Sequence, residues 1–329
     1  MGHRIEGYDL IRSFAILTVF LGHILNRQTD GVIRLAVSSL SPGLTMSLLG
    51  FISAALLSTK KQDFGPFLVR RFTRIYIPLF LCLSIVLVIH AFIGKHVVSQ
   101  HTLLHLMGLS AFFSLFLVEN RSTVGDGLWF ITAIMAMYLL LPLLSTLFRH
   151  RNGLLHLAAA IVACTALNFL MYSTSATWNV VISFSLGVYL GVNGRLERVS
   201  RTGIVFPLVF SAGLATMAAL ATVKILPYAV RGLLFPLYPL AFVPLFFFIA
   251  KSLPKSVTRA ATFFAGLSYG FYILHFYFIN DGLRDLFPES LNLPSQIGIG
   301  FGITLVLAYV LSVVASRLRR AADGYLLAD

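Results

Sequence analysis

The sequence predicts an all-α integral membrane protein of about ten transmembrane helices. Three features predict it: a composition too apolar for a water-facing surface, apolar runs of spanning length, and uneven placing of positive charge. Of 329 residues, 58% are hydrophobic and 11% charged, whereas soluble domains carry about 25% charged residues. The mean hydropathy of +0.88 leaves too few polar groups to cover a solvated surface. No hydrophilic block large enough to fold alone interrupts the apolar runs, so residues 1–329 read as a single polytopic membrane domain.

A span needs about 20 mostly apolar residues. Runs of that kind occupy 10–26, 35–57, 75–93, 128–148, 154–172, 178–193, 204–223, 229–250, 263–280 and 296–316. Bare strands cannot satisfy their backbone groups in lipid, so each run reads as a helix. The first begins behind Arg4 as a signal peptide would, but it contains Arg12 and shows no small-x-small cleavage site. It reads as the first span. No internal repeat suggests the inverted halves of many transporters.

The formal net charge is +13. In a soluble chain that surplus would suggest nucleic acid. Here Lys and Arg sit in short loops between apolar runs, where the positive-inside effect accounts for them without a nucleic-acid partner. With ten spans and a cytoplasmic N-terminus, 17 basic residues fall inside and 7 outside, and Arg12 lies within the first span. The run 103–118, behind His101 and His105, would destroy that sorting if it crossed. It reads as an interfacial or re-entrant helix, and both termini as cytoplasmic. Cys82 and Cys164 lie inside apolar runs and read as packing residues.

Ionisable residues inside spans are costly and mark function. Arg12 and His23 lie in the first span, His275 in the ninth, and His90 near the end of the third. Arg12 and His23 are eleven residues apart, which returns them to nearly one helix face at a separation of roughly 16 Å. Arginine grips phosphate or carbonyl oxygens, and histidine takes a proton from a hydroxyl near neutral pH. The structural alternatives are Arg12 snorkelling or paired with Asp9 at i−3, and His23 as a core histidine.

Arg70, Arg71 and Arg74 precede the third run. They read as a cytoplasmic anchor or, with Arg71 and Arg74 on one face of an early-starting helix, as a phosphate cradle. In the fourth run Trp129 reads as an aromatic-belt residue at the outer boundary, with Tyr138 and Pro142 following. In the ninth, Ser268, Tyr272 and His275 form an i, i+4, i+7 stripe, turned to the bundle interior for packing or for substrate. No phosphate loop, zincin pattern or paired intramembrane carboxylates occur, so neither metal nor glycosidase chemistry is expected.

At these residues the sequence resembles the acyltransferase-3 family of membrane O-acyltransferases. Asp9-Leu10-Ile11-Arg12 followed by His23 is similar to that family's first-span signature. Arg70 to Pro78 resembles its arginine-rich loop, Leu128-Trp129-Phe130 with Tyr138 and Pro142 its fourth-span motif, and Ser268 to His275 its late Ser-Tyr-x-x-Tyr-x-x-His motif. Gly127 stands where many members carry histidine, and Ile134 and Met135 where many carry glutamate. The chain also reads as a branch without the appended SGNH-hydrolase domain. The resemblance implies transfer of an acyl group, most often acetyl, from cytoplasmic acyl-CoA to a hydroxyl of a cell-surface glycan or its lipid-linked precursor, in the bacterial inner membrane. It implies His23 as the acceptor-activating residue, Arg12 as a donor-binding residue, and Arg71 and Arg74 as phosphate-binding or structural. Trp129, Tyr138, Ser268, Tyr272 and His275 become candidate pocket residues. The competing class is a transporter or flippase for an anionic or lipid-linked substrate, which intramembrane arginine and histidine would serve equally well. Oligomeric state stays open.

Overall fold

The computed structural model describes residues 6–28, 43–60, 63–94, 98–99, 101–109, 112–113, 124, 128–171, 175–200, 205–222, 235–280 and 291–326. Among them there is no strand, and the chain is a succession of helices. They are α1 (Glu6–Gln28), α2 (Gly43–Ser58), α3 (Phe64–Phe92), α4 (Thr102–Leu106), α5 (Trp129–Arg149), α6 (Gly153–Leu170), α7 (Ser175–Val192), α8 (Leu196–Ser200), α9 (Val205–Thr222), α10 (Tyr238–Ser252, after a 3-10 turn), α11 (Lys255–Asn280) and α12 (Leu293–Leu326). Each of the ten expected runs contains a helix. Among the described residues, six helices are long and apolar enough to cross a membrane: α1, α3, α5, α6, α10 with its preceding turn, and α12. Helices α2 and α7 are apolar but shorter over their described residues.

Two boundaries differ from expectation by ten residues or more. Helix α3 begins at Phe64, not at 75. Pro66 sits in its first turn, where a missing N–H costs nothing, so the arginine-rich stretch continues as helix. Helix α12 runs on to Leu326 through Arg317, Arg319 and Arg320, because Arg, Ala and Leu favour helix without needing lipid around them.

The chain divides into two compact units, and their boundaries fall inside α5 and α11: one holds 1–61 and 140–266, the other 62–139 and 267–329. In the first unit, α1, α2 and α10 share a core of Tyr8, Ile11, Leu48, Phe51, Ile52, Tyr238, Val243 and Phe246. Helix α7 lies close against α2. A Cβ at Gly187 would stand 2.4 Å from the Phe51 carbonyl oxygen, and one at Gly191 would overlap Ser58 Oγ and stand 2.7 Å from the Ala55 carbonyl oxygen. That Gly-x-x-x-Gly spacing lets two backbones approach as only small residues allow. Gly194, with φ +63°, ends α7. The amide of Arg195 donates to Leu190 and that of Gly194 to Gly191, a left-handed closure suited to glycine. Asn168 of α6 donates to Asn179 of α7 at 2.9 Å, a buried bond between helices.

In the second unit α12 packs against α3, and Thr73 Oγ1 donates to Asp323 Oδ1 at 2.7 Å. Tyr269 Oη donates to the Ile75 carbonyl at 2.9 Å. Pro78 lies within α3. After α3 the chain turns back along it. Gly108, with φ +68°, closes the turn after α4, and Tyr76 Oη donates to the Met107 carbonyl at 2.8 Å. Thr132 of α5 donates to the Gly108 carbonyl. A Cβ at Gly108 would lie 3.1 Å from Ile131 and 3.6 Å from Leu79. Met107 and Gly108 therefore sit beside the middle of α3, about 20 Å short of the far end at Phe92 by helix rise. Of the run at 103–118, residues 103–109, 112 and 113 are described. The Met107 and Gly108 carbonyls both accept from protein side chains, as irregular backbone away from water requires.

Candidate functional site

In the first unit α1 carries Arg12 and His23. Both are half-buried. The Arg12 side chain, 34% exposed, reaches Asp9 Oδ1 at 3.5 Å, and Asp9 itself is buried. Thr262 Oγ1 donates to Asp9 Oδ2 at 3.2 Å, and Ser13 Oγ donates to the Ala261 carbonyl at 2.7 Å. One carboxylate is thus gripped by a guanidinium on its own helix and a hydroxyl on α11. The i−3 pairing with Asp9 is the geometry found for Arg12. Asp9 compensates the arginine's charge and limits its rotamers, leaving part of the guanidinium exposed. His23 lies about three turns farther along α1, with Phe20, Gly22 and Ile24 beside it in sequence all buried.

In the second unit the early start of α3 places Arg71 and Arg74 at i, i+3 on helix, as a cradle would require. They differ in surroundings. Arg74 is exposed and Arg71 half-buried. The Arg71 guanidinium carbon lies 5.5 Å from the Phe67 ring centre and 5.8 Å from that of Tyr138. Those two rings meet edge to face at 6.1 Å. A cation held against two ring faces keeps its charge while losing freedom to move.

The other aromatic and polar candidates gather two to three turns along α5 from Tyr138. Phe130, next to Trp129, meets the Tyr272 ring edge-on at 6.0 Å, and the Tyr272 and His275 rings are 5.8 Å apart. His275 Nδ1 lies 2.6 Å from the Tyr272 carbonyl oxygen. Tyr272 and His275 are buried, as the interior stripe required; Ser268 is half-buried. Trp129 is half-buried and opens α5 near Ile131 and Thr132, level with the middle of α3. It stands about 20 Å short of α3's far end by helix rise.

Sequence reasoning missed Phe67 and Thr262, and placed Phe130 in the fourth-span motif without making it a site residue. Phe67 is four residues before Arg71, a signal available once α3 starts at Phe64. Thr262 is 253 residues from Asp9 and left no local sign. Among the described residues no group of three His, Cys, Asp or Glu side chains is arranged to hold a metal ion. Cys82 and Cys164 are free, buried thiols.

These features define a helical membrane protein with charged and titratable side chains anchored inside its helices. Residues 5–313 match the family model described as an acyltransferase domain. The match spans both units, and the chain belongs to the acyltransferase-3 family, as its four motifs indicated. No curated protein and no solved structure gives a significant match.

Proposed function

We propose that the protein is an acyl-CoA-dependent membrane O-acyltransferase. It transfers an acyl group, acetyl in the form expected here, to a hydroxyl of a cell-surface glycan or its lipid-linked precursor. It would work as one membrane domain of ten spans in the bacterial cytoplasmic membrane, with both ends in the cytoplasm.

The observation that carries the reading is α1, a membrane-length helix that holds an Asp9-anchored arginine and a half-buried histidine. Family membership supports acyl transfer as the chemistry. His23 takes the proton of the acceptor hydroxyl as its oxygen attacks the thioester carbon. The carbon–sulfur bond then breaks, the acyl group stays on the acceptor oxygen, and the CoA thiolate recovers the proton from His23. Arg12 binds the donor, and Arg71 and Arg74 bind its phosphates; a guanidinium grips such oxygens in pairs of hydrogen bonds. The two rings around Arg71 support a phosphate role, since they hold the cation in place at little cost in charge.

The test uses purified protein with labelled acetyl-CoA and membrane saccharides of source cells, beside sealed vesicles carrying the same protein. Label transferred to saccharide, with no accumulation of saccharide in the vesicles, is the expected result. Accumulation without transfer would replace the enzyme with a transporter or flippase.

A further inference from the structure

Within the second unit, Thr73 of α3 and Asp323 of α12 are joined by a hydrogen bond of 2.7 Å. From that tie the two helices run antiparallel. Tyr269 of α11 donates to the Ile75 carbonyl, and its neighbour Gly270 lies against Ala308 and Leu311 of α12. Antiparallel helices are related by a local two-fold axis, so equal offsets from the tie point to the same side of the seam. Arg70 stands three residues before Thr73, and Arg320 three residues before Asp323; both are exposed. They therefore share one side of the α3–α12 seam. The buried Ile75 and Leu79 of α3 and the buried Leu311 and Ala315 of α12 lie on the other.

Helical spacing carries each arginine into an apolar stripe. On α3 the side of Arg70 continues through the half-buried Ile77 and Leu81 to Val88, 54% exposed. On α12 the side of Arg320 continues through the exposed Arg317 to Val313 and Val310, both exposed. Val310 lies about 15 Å from Arg320 by helix rise, which is the depth of one lipid leaflet. Among the described residues Arg70, Arg317 and Arg320 enter no ion pair. Arg74 lies between Arg70 and Arg71 around α3 and stays with the acyl donor.

We propose that the α3–α12 seam binds one anionic phospholipid, its phosphate headgroup on Arg70, Arg317 and Arg320 and an acyl chain along the two apolar stripes. A phospholipid matches both parts of the seam, since its charge and its chain follow one another as the arginines and the apolar residues do. The headgroup must carry net negative charge, because a zwitterionic one would bring its own cation against three arginines. This site goes beyond acyl transfer and holds whether or not the chain catalyses it.

The test titrates the delipidated whole chain, in neutral detergent, with phosphatidylglycerol and with phosphatidylcholine of the same acyl chains, read by native mass spectrometry. The wild type should bind one phosphatidylglycerol about tenfold or more tighter than phosphatidylcholine. The pair Arg70→Gln and Arg320→Gln together, at wild-type monodispersity, should bind the two lipids within about twofold of each other. Arg317→Gln alone should lower the preference by about threefold. The control pair Arg149→Gln and Arg151→Gln removes two arginines that are exposed elsewhere, and should keep the wild-type preference. A wild type without preference, or equal loss in the control pair, would overturn the site. Displacement of the bound lipid by acetyl-CoA or by glycerol 3-phosphate would also overturn it, since the arginines would then serve a soluble phosphate. None of these results bears on acyl transfer, which is assayed separately.

Discussion

Replacing Gly187 by alanine adds one methyl group where α7 meets α2. The new Cβ would stand 2.4 Å from the Phe51 carbonyl oxygen, 3.0 Å from Ala54 Cβ and 3.1 Å from the Ala55 amide nitrogen. Two of those three neighbours are backbone atoms, which cannot swing aside as a side-chain end can. The helices must separate by at least the difference between 2.4 Å and an ordinary contact, along a face that also carries Gly191. Overpacking of this kind costs roughly 1–3 kcal/mol. The strain would reach the candidate site, because Leu48, Phe51, Ile52 and Ala55 of α2 share a core with Tyr8 and Ile11 of α1. Gly213→Ala is the control: a Cβ there meets nothing within 4 Å, and alanine favours helix over glycine by roughly 0.8–1.0 kcal/mol. The assay is the midpoint of thermal loss of the monodisperse peak in detergent. Gly187→Ala should lower it, and Gly213→Ala should leave it unchanged or raise it. Equal midpoints would refute close packing of α2 and α7 at this position.

Three further outcomes are expected. Arg71→Lys keeps the charge but loses the planar group that lies against Phe67 and Tyr138, so the KM for acetyl-CoA should rise by about three- to tenfold with kcat little changed, whereas Tyr138→Phe keeps the ring and should stay near wild type. Thr262→Val removes the donor to Asp9 Oδ2 and should weaken binding of acetyl-CoA about three- to thirtyfold, seen by titration calorimetry, through a looser hold on Arg12. Asn168→Leu breaks the bond between α6 and α7 and should destabilise by about 0.6–2 kcal/mol in a detergent-unfolding series.

Much of this architecture was legible in the chain because lipid imposes simple rules. Each expected apolar run contains a helix, and the arginines and histidines that break the runs are the candidates. The Asp9–Arg12 pair was legible as an i, i+3 contact. The Gly-x-x-x-Gly spacing at Gly187 and Gly191 was also legible, although it was not among the features read. Other parts were hidden for definite physical reasons. The start of α3 was obscured because Arg70, Arg71 and Arg74 break its apolar run, yet helix propensity and a proline in the first turn carry the helix through them. That α5 starts level with the middle of α3 was hidden as well, because only the contacts of Gly108 with Thr132, Ile131 and Leu79 report it. The contacts Thr262–Asp9 and Tyr138–Arg71 join distant segments, and no periodicity within one segment reports them.

The central claim is that His23 activates a hydroxyl for attack on an acyl thioester. The most direct test is mass spectrometry of saccharide incubated with acetyl-CoA and either purified wild-type protein or His23→Ala of equal monodispersity and thermal midpoint. The account predicts acetylated saccharide with wild type and none above background with His23→Ala. Acetylation by the folded variant at the wild-type rate would contradict it.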